Sequence, residues 1–334
     1  MIKFSQYFNN WLYGENGYYA AYKAIGKDGD FFTAVSTSKL FGGSIAKKIL
    51  KTIEEGFVPS NTTIVEIGAH HGYLLADIIQ FIYTLKPKLL STLTFAIVER
   101  FEHLRIQQKQ YLEESFGNAI KFQHYNSIEE LQLDNAIIVA NEIFDAFACE
   151  LVYTKDNILQ QAFVKDNKII WEKCEDKKLK QIAKQQSITK GEIPIGYDSF
   201  ASILANNINK FEFITFDYGD EYPRNDFSCR IYQKHNVYPI FEDNLDLKNL
   251  YKKSDITYDV NFAYLIKCFD DVKVSNPIYQ TQLKALVEFG IIDLLEIIHK
   301  NTDEKTYLSE ANKVKTLLEP TGMGDRFKVA VFRK

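Results

Sequence analysis

A strand, a glycine turn and a helix in immediate succession constrain this chain more than any other feature. Thr63-Ile64-Val65-Glu66-Ile67 is a short β-branched run that reads as a buried strand. It stops at Gly68-Ala69-His70-His71-Gly72. Leu74, Leu75, Ile78, Ile79, Ile82 and Leu85 then recur at helical spacing. Such a succession opens a βαβ unit, and repeated units of this kind build a parallel sheet covered by helices.

The alternation continues downstream. Residues 93–98 read as a second strand ending at Glu99, with a polar helix over 101–114. Residues 120–124 and 135–140 supply two more strands, the later one running into Asn141-Glu142. A fifth strand, 211–216, closes on Asp217-Tyr218-Gly219, and the alternation of Phe327, Val329 and Val331 predicts a terminal strand over 326–334. Between them the pattern changes. Residues 150–154, 159–165 and 168–173 read as short strands joined by Asp156-Asn157 and Asp166-Asn167 turns, an antiparallel meander. A charged helix near 176–186 closes it. Residues 38–53 and 280–299 read as helices, and 222–255 as loop-rich. The expected fold class is therefore α/β, a Rossmann-like sheet with an N-terminal helical segment and an inserted antiparallel β meander. Residues 1–58 are expected to form that helical segment and contribute to an active-site cleft. Residues 59–149 and 206–334 would form the core, and 150–205 an inserted substrate- or partner-binding subdomain.

Composition narrows the partners. Lys and Arg number 40 against 44 Asp and Glu, so no basic excess is available to neutralise a nucleic-acid backbone. The 25 Phe and 20 Tyr fill a core or line a groove for a partner. Cys149, Cys174, Cys229 and Cys268 have neither zinc-site nor disulfide spacing, and read as reduced thiols in a cytoplasmic protein. No run is long and apolar enough to span a membrane, and Met1 to Asn10 has no secretory apolar core. His70 and His71 are adjacent rather than four apart, and no acidic partner has ligand spacing, so no metal is expected.

In an open α/β sheet, ligands sit beyond the carboxyl ends of the strands. Those ends here carry Glu66-Ile67-Gly68, Glu99, Asn141-Glu142 and Asp217. Gly68, His70 and Gly72 occupy the places of a G-x-G-x-G turn, with histidine at the middle glycine. The spacing is not G-x-G-x-x-G, which disfavours a nicotinamide cofactor. Glu99 stands where a carboxylate would accept both ribose hydroxyls. An adenosyl ligand without a pyrophosphate fits, and S-adenosyl-L-methionine is such a ligand. Each residue also has a plainer reading. The glycines would permit strand–helix packing, Glu66 and Glu99 would be solvated strand ends, and Glu142 and Asp145 would favour a helix N-terminus through its dipole.

Three clusters resemble the MidA family of S-adenosylmethionine-dependent methyltransferases. One is Gly17-Tyr18-Tyr19 with Ile25-Gly26, Gly29-Asp30-Phe31-Phe32-Thr33-Ala34, Ser38 and Phe41-Gly42. Another is Val65-Glu66-Ile67-Gly68 with Gly72, Leu74 and Asp77-Ile78. The third is Ala140-Asn141-Glu142-Ile143-Phe144-Asp145-Ala146. Later pieces follow in the family's order: Asp217-Tyr218-Gly219, Asp255-Ile256-Thr257 with Asp259-Val260-Asn261-Phe262, Thr281-Gln282 with Phe289-Gly290-Ile291, and Gly322-Met323-Gly324 with Phe327-Lys328-Val329.

The resemblance implies a class I methyltransferase fold with S-adenosyl-L-methionine as cofactor. It implies that Glu66, Gly68 and Gly72 line the cofactor and that Glu99 holds its ribose; His70, at the turn's middle position, is expected to line the cofactor as well. Asp30, Phe31 and Thr33 would lie over it. Asn141 would stand near the methyl group, with Glu142 and Asp145 as the catalytic carboxylates. The family includes a mitochondrial complex I assembly factor, so the implied activity is protein arginine methylation, with a respiratory-complex subunit among the implied substrates. A non-catalytic assembly or scaffolding protein is the alternative, and a homodimer stays open. The chain departs from the family at Ala69-His70, where Pro-Gly is usual, at Val35-Ser36 in place of Pro-Glu, and at Phe147-Ala148 in place of Leu-Pro.

Overall fold

The computed structural model describes residues 1–20 and 33–334. Asp30 and Phe31, expected over the cofactor, lie outside the described residues. The chain forms two compact units. One, the sheet unit, comprises residues 33–143, 200–217 and 269–334. The other, the meander unit, comprises residues up to 32, 144–199 and 218–268.

The sheet unit is built on strands numbered here in chain order. They are β1 (Thr63–Ile67), β2 (Thr94–Val98), β3 (Lys121–Tyr125), β4 (Leu133–Asn141), β5 (Ile208–Asp220), β6 (Ser275–Thr281) and β7 (Phe327–Arg333). Their spatial order is β6-β7-β5-β4-β1-β2-β3. Strand β1 runs parallel to β2 and β4, β2 parallel to β3, and β4 parallel to β5. Strand β7 is antiparallel to β6, and Phe211 and Lys334 exchange backbone hydrogen bonds beside it. The chain reverses direction outward from β1, which makes its tip a topological switch point.

Three helices of this unit matter for the site: α1 (Lys39–Glu54), α2 (Tyr73–Leu85) and α3 (Glu102–Phe116). Ser38 caps α1, its Oγ accepting from Leu40 N at 3.2 Å. Phe41, Ile45 and Ile49 of α1 join Leu75, Ile78 and Ile82 of α2 and Ile64 of β1 in one buried core. This burial is why residues 33–58 go with the sheet rather than with the N-terminal segment. The helix expected over 280–299 is two, Gln282–Glu288 and Ile291–Asn301. Gly290 breaks it, with φ of 85° that a residue carrying a Cβ adopts only at a cost.

The meander forms as its turns predict. Strands Cys149–Lys155, Ile158–Lys165 and Lys168–Lys173 pair in antiparallel register. Asp156 and Asn157, and Asp166 and Asn167, take φ of 50–61°, the conformation that tight hairpins require. Lys190–Pro194 adds a further strand and Ile2–Lys3 a short one. The unit has its own core, in which Phe4, Phe8 and Trp11 of helix Phe4–Tyr13 pack with Cys149, Leu151, Ile231, Leu250, Ile256 and Tyr258. Residues 144–149 and 218–268 thus fall with the meander and not with the sheet. The stretch 222–255 is less loop-like than its composition implies, because Arg230–Gln233 pairs with Asn236–Pro239 and with Asp255–Thr257.

Candidate cofactor and acceptor site

The site in the sheet unit starts with backbone geometry. Gly68 N–H donates to Val98 O at 3.2 Å and Glu99 N–H to Tyr125 O at 3.0 Å, which carries the pairing of β1, β2 and β3 to their tips. Glu142 N–H donates to Phe216 O at 2.8 Å. Gly68 is exposed at φ 74°, and a Cβ placed there would come within 3.0 Å of Ile143 Cγ2. A turn this tight is open to a ligand only without a side chain. His70 is half-buried with φ 47°, and Gly72 is buried with φ 79°. The sequence places His70 correctly in the turn, and the left-handed backbone there is tolerated by histidine better than by a β-branched residue.

The carboxylates differ in their settings. Glu66 is buried, and its Oε2 accepts from Leu75 N at 3.0 Å. Burial pushes its carboxyl up to about 8, against the opposing Leu75 hydrogen bond and with help from Asp77 and Glu99. It therefore braces the start of α2. Asp77, one turn along, is pushed up to about 6 by burial, with Lys39 opposing. Glu99 is buried at the end of β2, its Oε1 accepting from Phe101 N at 3.0 Å. Burial raises it, while Phe101 N–H and the Gln108 side chain hold it down. Arg105 donates to the backbone oxygens of Glu99 and Arg100 at 2.8 and 2.9 Å.

At the tip of β4, Asn141 Nδ2 donates to Glu142 Oε1 at 2.8 Å. Asn141 Oδ1 is buried without a hydrogen-bond partner among the described residues. A buried acceptor with no donor calls for one from a ligand. Glu142 is half-buried with φ 54°, a conformation that strains a non-glycine residue and collects at functional sites. Thr33 Oγ1 accepts from Ser36 N at 3.3 Å and caps the short helix Ala34–Thr37.

Asp145 belongs to the meander unit. It is buried, accepts a hydrogen bond from the Tyr218 hydroxyl, and is pushed up to about 6 by burial, with Tyr218 and Arg230 opposing. The Arg230 guanidinium stacks 4.8 Å from the Tyr218 ring centroid and pairs with Asp259 at 2.7 Å. Sequence reasoning missed Tyr218 and Arg230 as partners of Asp145, because they lie more than seventy residues downstream. It also missed Gln108. A signal for Gln108 was present: it shares the buried stripe of α3 with Leu104 and Leu112, four residues to either side.

These features meet the needs of an adenosyl sulfonium ligand. Glu99 offers acceptors for two ribose hydroxyls, the exposed Gly68 lets backbone approach closely, and Asn141 Oδ1 can receive an ammonium N–H. Fold and site together define a class: a Rossmann-like methyltransferase sheet with a glycine turn and polar side chains gathered at the tips of β1, β2 and β4. Residues 44–278 match the family model described as "Putative S-adenosyl-L-methionine-dependent methyltransferase". The chain belongs to that family and is an S-adenosyl-L-methionine-dependent methyltransferase.

Among its relatives is "Protein arginine methyltransferase NDUFAF7, mitochondrial" of Danio rerio, 24% identical over 93% of this chain and 78% of the relative. The Caenorhabditis elegans "Protein arginine methyltransferase NDUFAF7 homolog, mitochondrial" is 24% identical over 95% of this chain and 79% of its own length. A Burkholderia thailandensis protein solved bound to S-adenosyl-homocysteine shares the fold. Its TM-score is 0.83 at 23% identity, covering 100% of this chain and 88% of that one. Among the described residues, no helix is long and apolar enough to cross a membrane, and no group of His, Cys, Asp or Glu side chains is arranged to hold a metal ion.

Proposed function

We propose that the chain methylates an arginine side chain of a protein. Relatives named as protein arginine methyltransferases support the acceptor class. The observation that carries the reading is Glu142: a half-buried carboxylate, held in a strained backbone conformation at a strand tip beside an unpartnered amide oxygen.

When bound, S-adenosylmethionine supplies a methyl group made electrophilic by its sulfonium. Glu99 accepts the ribose hydroxyls, and Gly68 and Gly72 shape the turn for the rest of the cofactor. Asn141 orients Glu142 through its amide. A guanidinium stays charged in water, so its attacking nitrogen must be held and made to give up a proton. Glu142 accepts guanidinium N–H bonds, which aligns that nitrogen, and receives the proton released on transfer. Asp145 acts at one remove, as a positioning residue that holds the Tyr218 hydroxyl. We assign a substrate- or partner-binding role to the meander over 150–205, and place a respiratory-complex subunit first among acceptors on the family resemblance. Four free buried thiols are compatible with the cytoplasmic setting we propose, and cell fractionation tests it against the mitochondrial naming of the relatives.

Glu142→Gln tests the central assignment. Turnover is expected to fall about 100- to 10,000-fold while S-adenosyl-homocysteine affinity holds. Unchanged turnover removes Glu142 from the mechanism. Mass spectrometry of methylated arginines in cells with and without the protein tests the acceptor, and an unaltered arginine methylome counts against it.

A further inference from the structure

We propose that Gln108 is a positioning residue for the adenosyl group: it holds the Gly68–Gly72 turn of the cofactor site in one fixed geometry. The inference depends on the cofactor and not on the arginine reading, so the two fail separately.

Gln108 is fully buried on α3, whose exposed face is polar. Burying a primary amide is unfavourable unless its hydrogen-bonding groups find partners. Here they do. Nε2 donates to His70 O at 2.7 Å, and Oε1 meets His124 Nε2 at 2.9 Å. The His70 carbonyl can only accept, so it calls for the NH2 end. The oxygen end then faces His124, whose Nε2 must carry the proton. The amide orientation is thus fixed by its neighbours. The stem of Gln108 also packs beneath the turn, with its Cγ 3.6 Å from where a Gly72 Cβ would stand.

The consequence falls on the turn. The amide holds the carbonyl of His70, the residue standing at the turn's middle glycine position. A turn held this way presents its backbone to a ligand without further ordering. One side chain on α3 therefore ties the turn after β1 to β3, the strand that bears His124.

The test uses Gln108→Met, which keeps the length of the side chain and removes the amide. Calorimetry with S-adenosyl-homocysteine is expected to show affinity weakened about tenfold or more, since the turn loses the buried hydrogen bond that holds it. KM for S-adenosylmethionine is expected to rise in step, with kcat little changed. In the cofactor-free wild-type protein, nitrogen-15 NMR is expected to show His124 as the Nε2–H tautomer, and that signal is expected to shift in Gln108→Met. A merely structural glutamine would lower Tm and leave the affinity of the folded protein alone. Affinity within twofold of wild type, or an Nδ1–H tautomer at His124 in the wild type, overturns the proposal. Should Gln108→Met fail to fold, His124→Phe replaces it. That variant leaves the amide in place but unanchored. Weakened S-adenosyl-homocysteine binding with unchanged kcat supports the proposal, and wild-type binding overturns it.

Discussion

In the sheet unit, Glu99 and Glu142 lie at strand tips, Glu142 joined to an amide whose other end is unpartnered. In the meander unit, Glu192 accepts from Ser228 N, Ser228 Oγ and Cys229 N at 2.8–3.0 Å, and Asp259 pairs with both Arg224 and Arg230. Both regions bury carboxyl groups, yet Glu142 adjoins an amide oxygen without a partner among the described residues, whereas Glu192 and Asp259 are tied to their own unit's backbone and arginines. Strand direction accounts for the difference. Parallel strands bring all their carboxyl ends to one edge, where polar groups from distant segments converge. Antiparallel strands alternate their ends, so their acids are not gathered at one edge. The sheet unit follows the same rule away from that edge. Glu212, in the first half of β5, is fully buried and bound to Lys48, Thr52 and Arg333.

If the acids of the meander unit are structural, removing their partners should cost stability and spare the cofactor. Arg230→Ala takes one arginine from the mostly buried Asp259, which keeps Arg224, and uncovers the Tyr218 ring. We expect a loss of about 3–5 kcal/mol in urea unfolding, with S-adenosyl-homocysteine affinity retained by the folded fraction. A loss under about 1 kcal/mol would break the comparison.

Titration sharpens it next. Burial raises Glu66 to about 8 and Glu192 to about 7. Each folded-state value lies above the ordinary carboxyl value, so the folded protein holds a proton that the unfolded chain has lost. Their contributions are fully present below about pH 4.5 and are lost as pH rises through about 8 for Glu66 and about 7 for Glu192. Glu66→Gln and Glu192→Gln should each flatten the fall of unfolding free energy with pH, by at most about 1.4 kcal/mol per pH unit. Only Glu66→Gln should also weaken S-adenosyl-homocysteine binding, because only Glu66 braces the start of α2 behind the turn. Parallel pH series of denaturant titrations check the first point, and calorimetry the second.

The smallest effect expected is a local one. Ser38→Ala removes the cap of α1 and should cost about 1 kcal/mol by urea unfolding, with turnover unaltered. A large drop in turnover would mean that the start of α1 takes part in the site.

Much of this architecture is legible in the chain because it is periodic. The β-branched run 63–67, the turn at 68–72 and the apolar stripe of α2 are local signals, and each formed where its residues place it. The Asp-Asn pairs marked both hairpin turns for the same reason. The single helix expected over 280–299 divides in two because Gly290 interrupts an apolar rhythm that continues across it. Gln108 sat in plain view on the buried stripe of α3, but its chemistry depends on His70 and on His124 of β3.

Strand, turn and helix preferences, together with the acids that close each strand, were determined by the sequence alone, since they depend on neighbours a few residues apart. Tertiary structure decided the partners: which amide holds the His70 carbonyl, which tyrosine holds Asp145, and which segments share a core. Those choices join residues tens to hundreds of positions apart, and a hydrogen bond between such residues exists only once packing has brought them within about 3 Å.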